Sequence, residues 1–468
     1  VSDAMGVGGE QRPSPASTAA GLPGDGHVVI VGASLAGLHG AEALREQGFA
    51  GQITLVGEEP HPPYDRPPLS KRVLAGRMSA DDTGLPQRED FEAQWRLGTA
   101  AVSLDRAAKT VTLADGDVLG FDKLLIATGA RARPWPQAHE AALDGVFSIR
   151  TRDDARALQA RLATRPRRVL VIGAGFVGSE AASVCRELGL DVTVVERSPA
   201  PLVGALGGPA GSAAGRLQRR HGVDLRTNTS VRSLEGDGVG RLRRAALSDG
   251  DILDVDVAVV ALGAVRNVEW LAGSALSVDG RGVRCDAYCR AVDSAGQPDD
   301  DVLVAGDIAR WPHPLFDGEL LAVEHWDNAV RQARVAAVTM LHGPVLRHTA
   351  LPAFWSNQFG VNIKSVGVPA RADQFAVVQG SVENSAFVAA YGQQGRLIGA
   401  LAVNMPRALD AYATMITNRA GFPPVARIPD APDPIRVLDT ALPPLGKAAP
   451  DAGRPRPDEQ RAGARPSL

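Results

Sequence analysis

"RRVLVIGAGFVGSEAASVCRELGLDVTVVER" (residues 167–197) reads as strand, tight turn, helix and second strand. The turn holds a complete G-x-G-x-x-G at Gly173, Gly175 and Gly178. Glycines there allow a sharp turn, close approach of the backbone to a pyrophosphate, and close packing of helix on strand. The pyrophosphate then rests on unpaired N–H groups at the positive end of the helix. Glu196 follows Gly178 by 18 residues and ends the second strand. An acid in that place grips a ribose hydroxyl pair and repels a 2′-phosphate, so NADH is favoured over NADPH. Arg197, the next residue, softens that preference.

The device occurs twice. "HVVIVGASLAGLHGAEALREQGFAGQITLVGEE" (27–59) has the apolar run Val28–Val31, continuous as in a strand buried on both faces, then Gly32-Ala33-Ser34-Leu35-Ala36-Gly37. Ser34 stands at the middle glycine position and crowds the phosphate slightly; Glu58 lies 21 residues after Gly37. One such turn is weak evidence, because glycines also just close strand–helix corners. Two, each with flanking elements and a spaced acid, argue for two dinucleotide sites.

With 468 residues the chain has room for two to four domains. A hydrophobic content of 44% and a charged content of 22% are ordinary for a globular protein, and a formal charge of −3 gives no reason to expect nucleic acid. No run approaches the length of an uncharged membrane span. The first 26 residues lack a basic start and an apolar middle, so they do not read as a secretory signal. Three cysteines make no disulfide framework, and a reducing cytoplasm is the default compartment. Residues 1–26 and the end of the chain are Gly/Pro/Ala-rich and are expected to be disordered. The Arg-rich stretches at 165–168, 217–220 and 241–244 are expected to be solvated faces.

In the helix after Gly178, the residues Val177, Ala181, Val184 and Leu188 mark an apolar stripe, and Glu180 falls on it. A charge on a buried helix face needs a mate, unless the helix rotates and Glu180 reaches the rim. Before the second site comes "HPPYDRPPLSKR" (61–72), with four prolines framing Arg66 and Lys71. Pro67 and Pro68 fix φ and remove donors, so that stretch is stiff.

Further segments carry a family resemblance. "LLIATGARAR" (124–133) ends its apolar run in Thr128-Gly129, "VAVVALGAVRN" (257–267) is its counterpart, and "DVLVAGDIARW" (301–311) runs into Gly306-Asp307. The chain resembles the two-dinucleotide-binding flavoprotein reductases of the glutathione-reductase type. Within these, "PYDRPPLSK", "VEHWDNAVRQA" and "FWSNQFG" resemble the ferredoxin reductases that serve cytochrome P450s and aromatic-ring dioxygenases. The resemblance covers residues 27–430.

It implies an α/β fold of two Rossmann-like dinucleotide-binding domains and a C-terminal α+β domain. The FAD-binding domain would comprise 27–140 and 266–344, the NAD-binding domain 141–265, and the α+β cap 345–430, with 431–468 a largely disordered tail. FAD is expected against Gly32, Ser34, Leu35, Ala36, Gly37, Glu58, Arg66, Lys71, Thr128, Gly129, Gly306, Asp307, Trp326, Trp355 and Gln358. NADH is expected against Gly173, Gly175, Phe176, Val177, Gly178, Glu180, Glu196 and Gly263. Arg66 would serve the FAD diphosphate or flavin edge. Lys71 and Glu180 would pair at the flavin–nicotinamide junction as the catalytic groups, ordering the site and tuning its charge. Asp307 would hold a ribityl or diphosphate oxygen, or else cap the next helix. For Trp326 and Trp355 the alternative is interface packing, and for His39 a structural role. Asn357 replaces the aspartate usual in the family's motif.

The implied activity is transfer of electrons from NADH to FAD and then, singly, to a small iron–sulfur protein feeding an oxygenase. Two other readings stay open: an NADH-dependent reductase of a quinone, small radical or oxygen, and an NADH-gated flavoprotein interaction switch. No cysteine follows Glu58 closely, Cys185 falls on the apolar stripe, and Cys285 and Cys289 lack further ligands, so neither thiol chemistry nor a metal site is expected. In the third domain, 354–367, 385–392 and 396–404 read as strands with a turn at Gln393-Gln394-Gly395, followed by a helix over 406–421 that ends in glycine.

Overall fold

A computed structural model describes residues 22–88 and 91–424. The expected tails fall mostly outside this range, on 1–21 and beyond 424. Residues 22–26, expected to be disordered, instead form a turn: Gly26 N–H donates to the Pro23 carbonyl at 2.9 Å, and Gln52 N–H donates to the Gly26 carbonyl at 2.9 Å.

The first unit is a six-stranded sheet in the order Arg290–Val292, Pro298–Val304, Lys123–Ile126, His27–Val31, Gln52–Gly57, Gln94–Leu97. Its outermost pair at the Arg290 end is antiparallel and the other pairs are parallel. Val28 and Ile30 pack under the helices Leu35–Glu46 and Trp326–His342, while Val29 and Val31 face a core that includes Trp270 and Trp311. Burial on both faces explains the unbroken apolar run. Chain order reverses at His27–Val31, with Gln52–Gly57 on one side and Lys123–Ile126 on the other. Such a switch point opens a crevice beyond the carboxyl ends of the strands.

The second unit repeats the arrangement with five parallel strands in the order Asp224–Thr227, Asp191–Glu196, Arg168–Ile172, Val257–Val260, Val146–Ser148. Its switch point lies at Arg168–Ile172. The third is an antiparallel five-stranded sheet, Ala353–Gln358, Val361–Gly367, Arg396–Val403, Ala386–Gln393, Gln374–Ser381. One face packs on the helix Leu409–Thr417 and the other on the helix Val203–Arg220 of the second unit. Gln394 and Gly395 both take positive φ, at 50° and 73°, as a two-residue hairpin turn requires.

The last helix is shorter than the sequence suggests. It starts at Leu409, after a tight turn over Pro406–Ala408, and is capped by Asn418, with Arg419 at φ 53°. The Arg419 guanidinium donates to the Pro314 carbonyl at 2.7 Å, while Gly421 bridges to Arg396, so a tertiary contact holds the stop rather than the glycine. Among the described residues no helix is long and apolar enough to cross a membrane.

Candidate active site

The first glycine turn is built by contact. Gly32 has φ +121°, and a Cβ there would stand 2.1 Å from the Ala127 carbonyl oxygen; one on Gly37 would stand 1.9 Å from that of Gly32. Ser34 precedes the helix Leu35–Glu46 as its cap, with its side chain unused in capping and no acid in the first turn. That leaves the positive helix end open to an anion. Ser34, Leu35 and Ala36 line a cavity of about 800 Å³, whose walls continue through Glu58, Thr128, Gly129, Gly306 and Asp307 to Lys71, Phe176, Val177, Glu180, Trp326 and Trp355.

The stiff loop is pinned at its start. Leu85 N–H donates to the Pro63 carbonyl at 2.9 Å, and His61 meets Asp153 at 2.6 Å. After Pro67 and Pro68 the chain makes one wide helical turn, Leu69–Val73, in which Val73 N–H reaches back five residues to Pro68 at 3.0 Å. Leu69 and Val73 pack with Ala181, Ala182 and Cys185 of the helix Phe176–Glu187. This seats Lys71 Nζ 2.7 Å from Glu180 Oε2, with Glu180 only 5% exposed. Ser70 Oγ donates to the same oxygen at 2.5 Å, and Ser356 Oγ, from the third unit, donates to Glu180 Oε1 at 2.6 Å. Glu180 therefore does not turn to the rim. Val177, expected on the buried stripe, is 39% exposed and belongs to the cavity wall instead. The buried side is carried by Ala181, Ala182, Val184 and Cys185.

Other expectations change in detail. Arg66 lines the cavity but already donates to Glu59 Oε1 at 2.6 Å, to the Arg150 carbonyl at 2.7 Å and to the Tyr64 hydroxyl at 3.1 Å. Asp307 caps no helix, since the strand Ala309–Pro312 follows it; its carboxylate instead meets Arg150 Nη2 at 2.9 Å. Gln358 is not on the cavity wall: it is 2% exposed and donates to Ser356 Oγ at 3.2 Å, behind that serine. His39 pairs with Glu42 at 3.1 Å and meets the edge of Trp326. Asn357 accepts a bond from Asn362.

Trp326 opens its helix and donates Nε1–H to Asp65 at 3.0 Å. His325, at the cap position, lines the cavity, and burial pushes its pKa down to about 4. A neutral ring suits the positive end of a helix. Trp355 is 40% exposed at the wall. The three thiols are buried and unbridged, with Cys185 pushed up to about 12 by burial.

The glycines of the second turn are not on the cavity wall, although Phe176 and Val177 between them are. Gly173 has φ +100°, and a Cβ on Gly178 would stand 2.0 Å from the Gly173 oxygen, while space opens beside Gly175 and Gly263. Glu196 accepts from Ala174 N–H and Ser198 N–H, each at 2.7 Å, and Arg197 beside it is exposed.

The sequence reading missed Ser70, Ser356, Arg150, Glu59 and His325. Glu59, Ser70, His325 and Ser356 sit inside stretches already singled out. Arg150 is joined to the site only by the tertiary fold, and no local spacing points to it.

Residues 26–333 match the family described as pyridine nucleotide-disulphide oxidoreductase, and 353–438 match the reductase C-terminal family. Rhodocoxin reductase of Rhodococcus erythropolis is 37% identical over 81% of this chain and 87% of its own length. The ferredoxin–NAD(+) reductase component of the anthranilate 1,2-dioxygenase system of Burkholderia cepacia is 36% identical over 88% of this chain and 97% of its own. Among solved structures, the putidaredoxin reductase of a covalent complex with putidaredoxin superposes with a TM-score of 0.79 at 31% identity, covering 84% of this chain and 93% of that one.

Proposed function

The chain belongs to the pyridine nucleotide-disulphide oxidoreductase family, with a reductase C-terminal domain, and from that membership we infer that it moves electrons from NADH through FAD to a small iron–sulfur protein serving an oxygenase. FAD, when bound, supplies the step between a two-electron donor and a one-electron acceptor. The cavity suits it: a phosphate cradle no side chain could enter, an uncommitted Ser34 hydroxyl, and the buried Nδ1 of His325 without a protein partner. In our assignment Gly32–Gly37 and Glu58 hold the adenosine and diphosphate end, and Lys71, Trp326 and Trp355 border the flavin. Gly173–Gly178, Glu196 and Gly263 take NADH.

The observation that carries the reading is the buried Lys71–Glu180 pair, where the stiff loop, the second glycine-turn helix and the third unit meet. A charge so placed has a use where two rings must be held together and charge develops between them. Lys71 and Glu180 hold the geometry and balance charge; no proton need leave them. We take the FAD-binding domain as 27–140 with 266–344, the NAD-binding domain as 141–265, and the cap as 345–430. Three unbridged buried thiols accord with a reducing, cytoplasmic compartment.

The test is rapid mixing of the FAD-loaded protein with NADH, then with an iron–sulfur protein. The flavin band should bleach, and the iron–sulfur protein should be reduced far faster than oxygen. No bleaching by either nicotinamide ends the reading. Fast turnover on a quinone or oxygen alone moves it to another acceptor, and a long-lived reduced complex that barely turns over makes it a switch.

A further inference from the structure

The helix Val203–Arg220 breaks near its start. Gly207 takes φ 77° and ψ 172°, a region that essentially only glycine enters. The break cuts off a single turn, Val203–Leu206, which the chain enters through Leu202 at φ 57°. Carbonyls at such a break need donors from elsewhere. Pro209 has no N–H to return to Leu206. The third unit supplies a donor instead: the Tyr391 hydroxyl donates to the Leu206 carbonyl at 2.8 Å. Tyr391 is fully buried on the strand Ala386–Gln393, and its ring stands edge-on to Phe375 with centroids 5.2 Å apart.

That bond is the first of a line. Leu206 N–H donates to the Leu202 carbonyl at 2.8 Å, and Leu202 N–H donates to the Ala174 carbonyl at 3.0 Å. Ala174 N–H then donates to Glu196 Oε2 at 2.7 Å. Each residue on the way accepts on one side and donates on the other, so a shift in one bond is handed to the next. The line runs from a phenol of the third unit, through the second glycine turn, to the carboxylate assigned to the ribose of NADH. Apolar packing follows the same path. Leu202, Leu206 and Tyr391 share one cluster, and Phe176 of the glycine turn packs against it. Telling a ribose diol from a 2′-phosphate depends on where that carboxylate points.

We propose that Tyr391 is a positioning residue for nucleotide choice: its hydroxyl holds the turn Val203–Leu206, and through that turn the setting of Ala174 and Glu196 that favours NADH over NADPH. The proposal rests on Glu196 reading the ribose, as assigned above.

The test is stopped-flow reduction of the full-length, FAD-loaded protein by NADH and by NADPH. It compares the wild type with Tyr391→Phe, Glu196→Ala and the double variant Tyr391→Phe/Glu196→Ala. Tyr391→Phe removes one neutral hydrogen bond, so the dissociation constant for NADH should rise about fivefold, with a clearly smaller rise for NADPH. The limiting rate of flavin reduction should change much less than the dissociation constant. In the Glu196→Ala background the same substitution should add little for NADH, because the line has lost its end. Gly207→Ala is strained at this φ and breaks the line at its bend, so it should narrow the nucleotide preference in the same way. It serves also if melting curves show that Tyr391→Phe does not fold. Unchanged NADH binding in Tyr391→Phe, equal rises for both nucleotides, or an undiminished loss in the double variant overturns the proposal. A Glu196→Ala protein that loses both nucleotides equally strikes the reading beneath it instead, so the two failures are distinct.

Discussion

Three donors converge on the Glu180 carboxylate: Lys71 Nζ, Ser70 Oγ and Ser356 Oγ. A buried carboxylate with its cation removed is strongly destabilised, whereas a pair replaced as a whole is nearly neutral. Lys71→Met should therefore keep FAD, lower stability by about 1–3 kcal/mol given the partial exposure of Lys71, and slow reduction by NADH. Adding Glu180→Gln should restore the stability but not the rate. Denaturant titration and stopped-flow absorbance check the two halves, and unchanged reduction kinetics in Lys71→Met would remove the lysine from the site. Glu196→Ala should weaken NADH more than NADPH. The loss for NADH should be roughly tenfold, since a hydrogen bond to a charged group contributes about 1.5–3 kcal/mol. Equal rises in KM for both nucleotides would show that Glu196 only braces its own turn through Ala174 and Ser198. At this scale the sequence was legible where chemistry is local. The glycines, Glu196 and the burial of Glu180 follow from spacing and stripe. The commitment of Arg66 does not, because its partner Arg150 is brought by tertiary folding, and that of Gln358 does not, because its partner Ser356 stands two residues before it on the same strand, where no spacing pattern marks the pair.

The helix Trp326–His342 shows the same division among elements. Its start lies in the quoted "VEHWDNAVRQA", and its N-terminus borders the cavity. What the sequence leaves out is the state of His325 at the cap. Burial lowers its pKa from 6.5 in the unfolded chain to about 4. The folded protein then binds fewer protons than the unfolded chain between those values. Stability from the neutral ring is complete above pH 6.5 and is lost as pH falls through 4. The positive helix end opposes the charged ring further, while Asp307 and Asp327 favour it. His325→Asn puts a residue favoured at helix caps in this place and removes the titrating ring, so the fall in melting temperature between pH 6.5 and 4 should be shallower by about one proton. His348, pushed down to about 3 by burial, stays in that variant and should leave a residual slope. Identical slopes with and without His325 would mean that its ring titrates as in water. The last helix went the other way: a glycine suggested the stop at 421, but the contact of Arg419 with Pro314 set it earlier.

In the whole molecule, three units share one carboxylate. The two parallel sheets were legible because each rests on a repeated local pattern, an apolar strand followed by a glycine turn and an amphipathic helix. The seating of the third unit was not, because an antiparallel sheet shows its partner only through which alternate residues are buried. That seating is chemically specific. Ser356 donates to Glu180, and Ser183 Oγ accepts from Phe359 N–H at 2.6 Å, so the edge strand Ala353–Gln358 and the turn after it are bolted to the helix Phe176–Glu187. Phe176 and Phe354 close the same seam with ring centroids 4.5 Å apart. Ser356→Ala should thus act on two properties together. Loss of a hydrogen bond to a buried charged group costs about 1.5–3 kcal/mol, lowering the melting temperature by several degrees at most for a chain this long. Reduction by NADH should slow as well, since Glu180 loses the donor that fixes its second oxygen, while FAD affinity stays near that of the wild type. Ser356→Thr, which keeps the hydroxyl, should recover the rate if the larger side chain is accommodated. A Ser356→Ala protein with the wild-type rate and melting curve would show that the third unit only covers the cavity and does not help to hold its ion pair.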